Sequence, residues 1–183
     1  MAYSWVMLDK IVGIVLDNVE GCIVEIGIGE STKILSYFSK LFNREFFTCD
    51  TSLGRCEWIK DIIKNPNMKV FFGTSFDFMK QFQGNPAVVL LDGRHDYASI
   101  RTESDFFLEK MNPGGVMFIH DTCPHSRTYE RKLRVGKSVD SHIARKELEK
   151  REDVDCLTWR YTASGCGLTM VLKKDMNEPF YRT

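Results

Sequence analysis

The sequence predicts an α/β fold: a Rossmann-like, doubly wound sheet of about seven strands, mostly parallel, that ends in an antiparallel hairpin. Three observations predict it. Short apolar runs alternate with amphipathic stretches along most of the chain, as they do in β-α-β units. The run Ala87–Leu91 is apolar at every position, which is typical of a central strand covered on both faces. Two late apolar runs flank the glycine-containing turn Ser164–Gly167, which favours a hairpin.

The first two β-α units follow from the order of apolar and capping residues. Cys22–Ile26 is a compact strand, and Ser31 and Thr32 are expected to cap the helix that follows it. The apolar residues of that helix recur at helical spacing. Glu45–Asp50 predicts a second strand, and Cys56–Ile63 predicts a second helix.

The middle of the chain continues the same alternation. Met68–Phe72 predicts a third strand, and a short helix is expected over Phe76–Phe82. Ala87–Leu91 is the fourth strand. A helix over Ser99–Met111 presents apolar side chains on one face, and Asn112–Gly115 ends it.

The last third combines a strand, a basic region and the hairpin. Val116–Ile119 predicts the fifth strand, which runs directly into polar residues. A basic helical region is expected over residues 126–151. Val154–Tyr161 and Leu168–Leu172 are expected to pair as antiparallel strands.

Length and composition predict one domain and exclude several classes of protein. The chain has 183 residues, 25 basic and 25 acidic side chains, and 43% hydrophobic residues, enough for one substantial core. Disorder and a disulfide scaffold fit poorly, and six cysteines without a Cys-x-x-Cys pair suggest reduced thiols. No stretch is long and apolar enough for a bilayer span, so we expect a cytoplasmic protein without membrane association.

Charge is distributed unevenly along the chain. Nine basic and four acidic residues lie between Arg127 and Arg151. An anionic substrate such as a nucleotide-linked sugar could account for this excess, as could RNA. A solvated helix face is the simpler interpretation, and no interleaved aromatic platform favours a nucleic-acid surface. A homodimer could supply a missing pocket wall.

Polar or glycine residues follow every strand of the predicted parallel sheet. They are Glu25–Gly29, Asp50, Gly73–Ser75, Asp92–His95 and the pair at positions 120–121. Because open parallel sheets bind ligands beyond the carboxyl ends of their strands, these residues predict the functional site.

The turn after the first strand favours a nucleoside ligand. Gly27 and Gly29 allow close backbone approach, although tight β-α turns also occur without a ligand. Asp50, one β-α-β unit after Glu25, can accept both ribose hydroxyls, or it can be an ordinary strand end. Glu30, Ser31 or Thr32 occupies the position of the third glycine of NAD sites, and the turn carries a carboxylate. A cationic, phosphate-free cofactor therefore fits better than NAD.

Two carboxylates and two histidines predict a metal-assisted reaction. Asp92 and Asp121 lie 29 residues apart, so their strands are expected to be neighbours, and adjacent carboxylates repel unless a cation or proton lies between them. Oxygen ligands favour Mg²⁺, whereas a histidine would tolerate Mn²⁺. His95 could accept a proton from a substrate hydroxyl. Helix capping, pairing with arginine and a surface histidine are the structural alternatives.

From about Gly21 to Leu172 the chain resembles the class I S-adenosylmethionine-dependent methyltransferases. Val24–Thr32 resembles their first motif, and Asp50 resembles the acid after their second strand. The runs 91–95, 112–116 and 119–122 are similar to a metal-dependent branch that methylates sugars and antibiotic precursors, the macrocin O-methyltransferase type. The glycine turn is about two residues shorter than usual, and His120 stands where several relatives have a carboxylate.

The resemblance implies a role for each site residue. By this resemblance, the methionine end of the cofactor is lined by Glu25, Gly27, Gly29 and Ser31, the ribose is bound by Asp50, and the adenine lies beside Thr74 and Ser75. The metal ion, Mg²⁺ or Mn²⁺, is held by Asp92, His120 and Asp121. Asp92 also borders the cofactor. His95 is the expected catalytic base. Residues 1–20 would form an amino-terminal helix, 21–125 a cofactor-binding core, 126–151 a basic lid and 152–174 the hairpin.

The predicted activity is transfer of a methyl group from S-adenosylmethionine to a hydroxyl of a small molecule or sugar, assisted by a divalent metal ion. The alternative is a non-catalytic module with this fold that binds a partner protein or RNA. A nicotinamide oxidoreductase is a more distant possibility.

Overall fold

The computed structural model describes residues 3–123, 140–160 and 167–177. Helices and strands alternate along the described residues, as the sequence predicts. The elements are α1 (Tyr3–Asn18), β1 (Cys22–Ile26), α2 (Glu30–Leu41), β2 (Phe46–Asp50), α3 (Leu53–Ile62), β3 (Met68–Phe72), α4 (Ser75–Gln81), β4 (Pro86–Leu91), α5 (Tyr97–Lys110), β5 (Val116–His120), α6 (Ser141–Leu148), β6 (Val154–Trp159) and β7 (Leu168–Lys173).

The strands form one sheet in the order β3-β2-β1-β4-β5-β7-β6. β1 to β5 are parallel, whereas β7 pairs antiparallel with both β5 and β6, so the predicted fold and its closing hairpin are confirmed. Leu91 of β4 lies beside Ile119 of β5, which confirms that Asp92 and Asp121 follow neighbouring strands. Every residue of β4 is buried, as expected of a central strand.

Helices cover both faces of the sheet. On one face, α1 and α2 bury residues such as Leu8 and Leu35 against Ile23 and Leu90. On the other face, α5 and α6 bury residues such as Phe107 and Leu148 against the opposite side chains of the same strands. Because apolar side chains cover both faces of the sheet, a polar ligand would bind at the polar residues that follow the strands.

Helices α2 to α5 begin one to three residues earlier than predicted, and the contacts at α2 and α3 explain the difference there. Gly29 is the N-cap of α2, and the hydroxyls of Ser31 and Thr32 lie within the first turn, where Thr32 Oγ1 accepts from the N–H of Gly29 at 2.9 Å. The reason is the buried Glu25, which takes both hydroxyls as hydrogen-bond donors. α3 begins at Leu53, because Ser52 accepts a hydrogen bond from the backbone N–H of Arg55 and caps the helix earlier.

The predicted basic region is described only in part. α6 lies within it, whereas residues 124–139 fall outside the described residues, as does most of the hairpin turn at 161–166. Among the helices that are described, none combines the length and the apolar character that crossing a membrane requires.

Candidate active site

A cavity of about 360 Å³ opens at the carboxyl ends of β1 to β4. It lies at the point where the strand order reverses, which is where doubly wound sheets bind ligands. A smaller cavity of about 220 Å³ is lined by residues of α5, α6 and the turn after it, and it lies apart from the strand ends. The larger cavity is lined by Ile26, Gly27, Cys49, Asp50, Thr51, Arg55, Gly73, Thr74, Ser75, Phe76, Asp92, Gly93 and Arg94.

Gly27 is required where the ends of β1 and β4 meet. Its φ is 100°, and a Cβ there would lie 2.3 Å from the carbonyl oxygen of Asp92. The backbone N–H of Asp92 donates to the carbonyl of Ile26 at 2.8 Å, which holds the two strand ends together. At Gly29, by contrast, a Cβ would meet no atom within 4 Å. The turn therefore combines a close backbone contact with open space beside it.

Glu25 lies beneath this turn and does not line the cavity. Its side chain is fully buried, and its carboxylate accepts hydrogen bonds from Ser31 at 2.6 Å, Thr32 at 2.7 Å and Thr48 at 2.7 Å. Burial raises the pKa of Glu25 to about 7, and the three hydroxyl donors partly oppose the rise. The hydrogen bond between Ser31 and Glu25 thus supports the glycine turn on its buried side.

Asp50 is oriented by the backbone around it. Its Oδ2 accepts from the N–H of Ile28 at 2.9 Å, and its Oδ1 accepts from the N–H of Ser52 at 2.7 Å. Arg55 lies with Nη1 3.3 Å from Oδ2. Asp50 therefore faces the cavity in a fixed position beside a cation. The sequence does not single out Arg55, because it directly precedes the predicted helix Cys56–Ile63 and belongs to no motif.

The wall on the β3 side begins with Thr74, the N-cap of α4. Its hydroxyl oxygen accepts from the N–H of Asp77 at 3.1 Å and donates to the Asp77 carboxylate at 2.7 Å. Ser75 and Phe76 follow in the first turn and also line the cavity. This wall presents a hydroxyl and an aromatic ring to a ligand.

Asp92, His95, His120 and Asp121 meet at the ends of β4 and β5. His120 Nδ1 lies 2.9 Å from Asp92 Oδ1 and 3.5 Å from Asp121 Oδ1. His95 Nε2 lies 3.6 Å from Asp121 Oδ2 and 3.9 Å from Asp92 Oδ1. The structure therefore brings together all three predicted metal ligands and the predicted base.

The donor chemistry of this cluster fits a divalent cation. The buried Nδ1 of His120 makes no aligned hydrogen bond, although a carboxylate oxygen lies 2.9 Å away. Two carboxylates and an imidazole nitrogen suit Mg²⁺ or Mn²⁺. In the described parts of the chain, no three His, Cys, Asp or Glu side chains are already arranged around one ion position. An ion bound by both Asp92 and His120 would have to replace their 2.9 Å contact.

Asp121 has a left-handed backbone. Its φ is 60°, a conformation that is uncommon outside glycine, although aspartate and asparagine adopt it more often than other residues. Its N–H donates to the carbonyl of Gly167 at 2.9 Å, and its own carbonyl accepts from the hydroxyl of Ser141 at 2.7 Å. Hydrogen bonds on both sides therefore hold this residue in its left-handed conformation.

Trp5 is an unexpected member of the site. Its ring stacks on His120 with a centroid distance of 5.0 Å and an interplanar angle of 21°. The residue belongs to α1, so the amino-terminal helix reaches over the cluster at the end of β5. In the sequence, Trp5 is simply an apolar residue of an amphipathic helix, and only the packing of α1 reveals this contact.

More than half of the chain matches a known protein family. A family model described as a methyltransferase domain matches residues 24–122. This span runs from within β1 to just beyond β5 and contains every predicted site residue. No match was found among curated protein sequences.

Several solved structures share the fold. An O-methyltransferase from Bacillus cereus in complex with S-adenosylhomocysteine (SAH) is 19% identical, with 93% of this chain and 80% of that chain covered and a TM-score of 0.70. A SAH-bound methyltransferase from Podospora anserina is 16% identical, with coverage of 92% and 79% and a TM-score of 0.71. An O-methyltransferase of tomaymycin synthesis from Streptomyces achromogenes, in complex with S-adenosylmethionine, is 16% identical, with coverage of 92% and 80% and a TM-score of 0.67.

Proposed function

The chain belongs to the methyltransferase domain family, and from this premise we propose that it is an S-adenosylmethionine-dependent O-methyltransferase assisted by a divalent metal ion. The observation that carries the proposal is the cavity at the reversal of the strand order, with Asp50 on one side and the Asp92–His120 contact at the other. Neighbours of the same fold hold S-adenosylmethionine or SAH, which supports the same donor here.

We assign the cofactor to the cavity residue by residue. The backbone at Gly27 and Gly29 would lie against the methionine end, with Glu25 and Ser31 holding that turn from below. Asp50 would accept the ribose hydroxyls, Thr74 and Ser75 would lie beside the adenine, and Asp92 would border both the cofactor and the metal site.

The reaction needs a proton acceptor beside the acceptor hydroxyl. Asp92, His120 and Asp121 would hold Mg²⁺ or Mn²⁺, and the chemistry supplied by such an ion is a lower pKa of a hydroxyl bound to it. His95, whose Nε2 lies 3.6 Å from Asp121, would take the proton. The hydroxyl oxygen would bond to the donor's methyl carbon as the carbon–sulfur bond breaks, leaving a neutral thioether.

The acceptor is proposed only by class: a hydroxyl of a small molecule or sugar. An anionic acceptor, a homodimer and a cytoplasmic location remain predictions from the sequence. No observation among the described residues favours the non-catalytic alternative that binds a partner protein or RNA. The basic segment on which that alternative depends lies mostly outside residues 3–123, 140–160 and 167–177.

The cofactor assignment is tested by ligand-dependent stability. SAH at about 100 times its dissociation constant should stabilise the protein by about 2.7 kcal/mol. For a chain of this length, that corresponds to a rise in melting temperature of roughly 5–10 °C in a thermal shift assay. NADH serves as the control and should give no rise. No shift with millimolar SAH would contradict the proposal, and a shift with NADH alone would revive the oxidoreductase interpretation.

Asp50→Asn should weaken SAH binding by roughly 10- to 100-fold, because hydrogen bonds to a charged group contribute about 1.5–3 kcal/mol. Isothermal titration calorimetry measures the effect. Glu45→Gln is the matched control: Glu45 precedes β2, pairs with Lys69 and lies at the end of the strand opposite Asp50. Equal SAH affinity in wild type and Asp50→Asn would exclude the ribose role.

A further inference from the structure

One buried serine connects the two loops that carry the candidate catalytic and metal-binding residues. Ser141, the first residue of α6, is fully buried. Its backbone N–H donates to the carbonyl of His95 at 3.1 Å, and its hydroxyl donates to the carbonyl of Asp121 at 2.7 Å. A single residue thus links the loop after β4 to the loop after β5.

Ser141 contacts the site at a residue with an unusual backbone. Asp121 has a φ of 60°, a left-handed conformation that residues other than glycine adopt uncommonly. The Ser141 hydroxyl holds the carbonyl side of this residue, and the Gly167 carbonyl holds its N–H at 2.9 Å. These two hydrogen bonds therefore hold the peptide groups on both sides of Asp121 in place.

A second contact reinforces the same junction. The carboxylate of Asp140, directly before Ser141, accepts from the N–H of Tyr97 at 2.7 Å. Tyr97 begins α5, two residues after His95. Two hydrogen bonds therefore join the start of α6 to the segment after β4. Since Ser141 also contacts Asp121, the position of α6 affects the distance between that segment and Asp121.

We propose that Ser141 is a positioning residue: through the carbonyls of Asp121 and His95 it fixes Asp121, a candidate metal ligand, relative to the loop after β4, which carries Asp92 and His95. The proposal rests on the proposed function, because it takes Asp121 as a metal ligand. Ser141 does not line the cavity and does not itself act on substrate. Groups that orient metal ligands typically change metal affinity by roughly 10- to 100-fold when removed.

The test is the Mn²⁺ affinity of the ligand-free, full-length protein, measured by calorimetry and by electron paramagnetic resonance. Ser141→Ala removes the hydroxyl but keeps the backbone N–H, and it should weaken Mn²⁺ binding by roughly tenfold or more. Ser141→Thr restores a hydroxyl and should recover most of the affinity. SAH affinity should change less than about twofold in both. Ser141→Cys replaces the hydroxyl by a thiol, a weak donor of similar size, so it should also weaken Mn²⁺ binding although it leaves no cavity.

Ser39→Ala is the matched control. Ser39 is equally buried and also donates to a backbone carbonyl at 2.7 Å, that of Arg44, but it lies near the start of β2, at the amino-terminal ends of the parallel strands. It should leave Mn²⁺ affinity unchanged. Wild-type affinity in Ser141→Ala would overturn the proposal, as would an equal loss in Ser39→Ala.

The remaining outcomes separate this inference from the proposed function. A wild-type protein that binds SAH but no Mn²⁺ would overturn the metal-assisted step and the role of Ser141, and donor binding would stand. A wild-type protein that binds Mn²⁺ but no SAH would overturn the proposed function. The Mn²⁺ comparison among the Ser141 variants would then still decide the positioning role.

Discussion

Asp121→Asn is expected to weaken Mn²⁺ binding by roughly 100-fold or more, beyond the effect of losing an outer-shell group. The substitution removes the charge of a carboxylate that lies 3.5 Å from His120 and 3.6 Å from His95. It keeps the size of the side chain, and asparagine tolerates the left-handed backbone that Asp121 adopts. The fold and SAH affinity should therefore be retained, so the loss can be attributed to the missing ligand.

Asp105→Asn is the control for this change, since Asp105 is a carboxylate of α5 that pairs with Arg101 and Arg151, away from the strand ends. It should bind Mn²⁺ like the wild type. Unchanged Mn²⁺ affinity in Asp121→Asn would show that no ion binds at this cluster. If methyl transfer to an identified acceptor continued unchanged in the presence of EDTA, the reaction would not require a metal ion.

Glu103→Gln is expected to stabilise the protein at pH 8 by on the order of 3 kcal/mol. Glu103 is fully buried in α5, and neither carboxyl oxygen has an aligned hydrogen-bond partner. Burial raises its pKa from 4.5 to about 7, and Ser75 and Arg94 only partly oppose the rise. Each pKa unit corresponds to about 1.4 kcal/mol. Glutamine has a similar shape and carries no charge to bury.

The direction of the pH dependence follows from the raised pKa. The folded protein binds the Glu103 proton more tightly than the unfolded chain, so this group's contribution to stability is complete below pH 4.5 and is lost as the pH rises through about 7. Glu25, whose pKa is also raised to about 7, acts in the same direction. Wild type should therefore be less stable at pH 8 than near pH 5, and Glu103→Gln should reduce that difference.

Urea unfolding at pH 5 and pH 8 measures the free energies of unfolding. Glu109→Gln is the control on the same helix, because Glu109 is exposed, and it should change stability little at either pH. If Glu103→Gln were less stable than wild type at pH 8, the Glu103 carboxylate would have to be ionised and paired in the folded protein.

Much of the architecture could be predicted because it depends on short-range patterns. Short apolar runs predict the strands, and apolar residues at helical spacing predict several of the helices. The rule that parallel strands end at one edge brought Asp92, His120 and Asp121 together in the prediction, and the pairing of Leu91 with Ile119 confirms that their strands are adjacent. Gly27 could also be predicted, since only glycine allows so close an approach between neighbouring strand ends.

Side-chain direction at the glycine turn was harder to predict. The sequence places Glu25 at the end of β1 beside the turn, where the cofactor was expected to contact it. In the structure, Ser31, Thr32 and Thr48 surround its carboxylate beneath the turn. Two of these donors sit in α2 because Gly29, not Ser31, caps that helix. The hydroxyls of Ser31 and Thr32, which the sequence assigns to helix capping, donate to the Glu25 carboxylate, because a buried carboxylate needs hydrogen-bond donors.

The sequence by itself determined the order of the elements, the glycine turn and the set of polar residues at the strand ends, since each depends on residues close together in the chain. Only the tertiary structure decided that Trp5 stacks on His120, that Ser141 joins the loops of His95 and Asp121, and that Glu103 is fully buried in α5. These contacts depend on how α1, α5 and α6 pack against the sheet. That packing depends on the shape of the whole core, and no local periodicity encodes it.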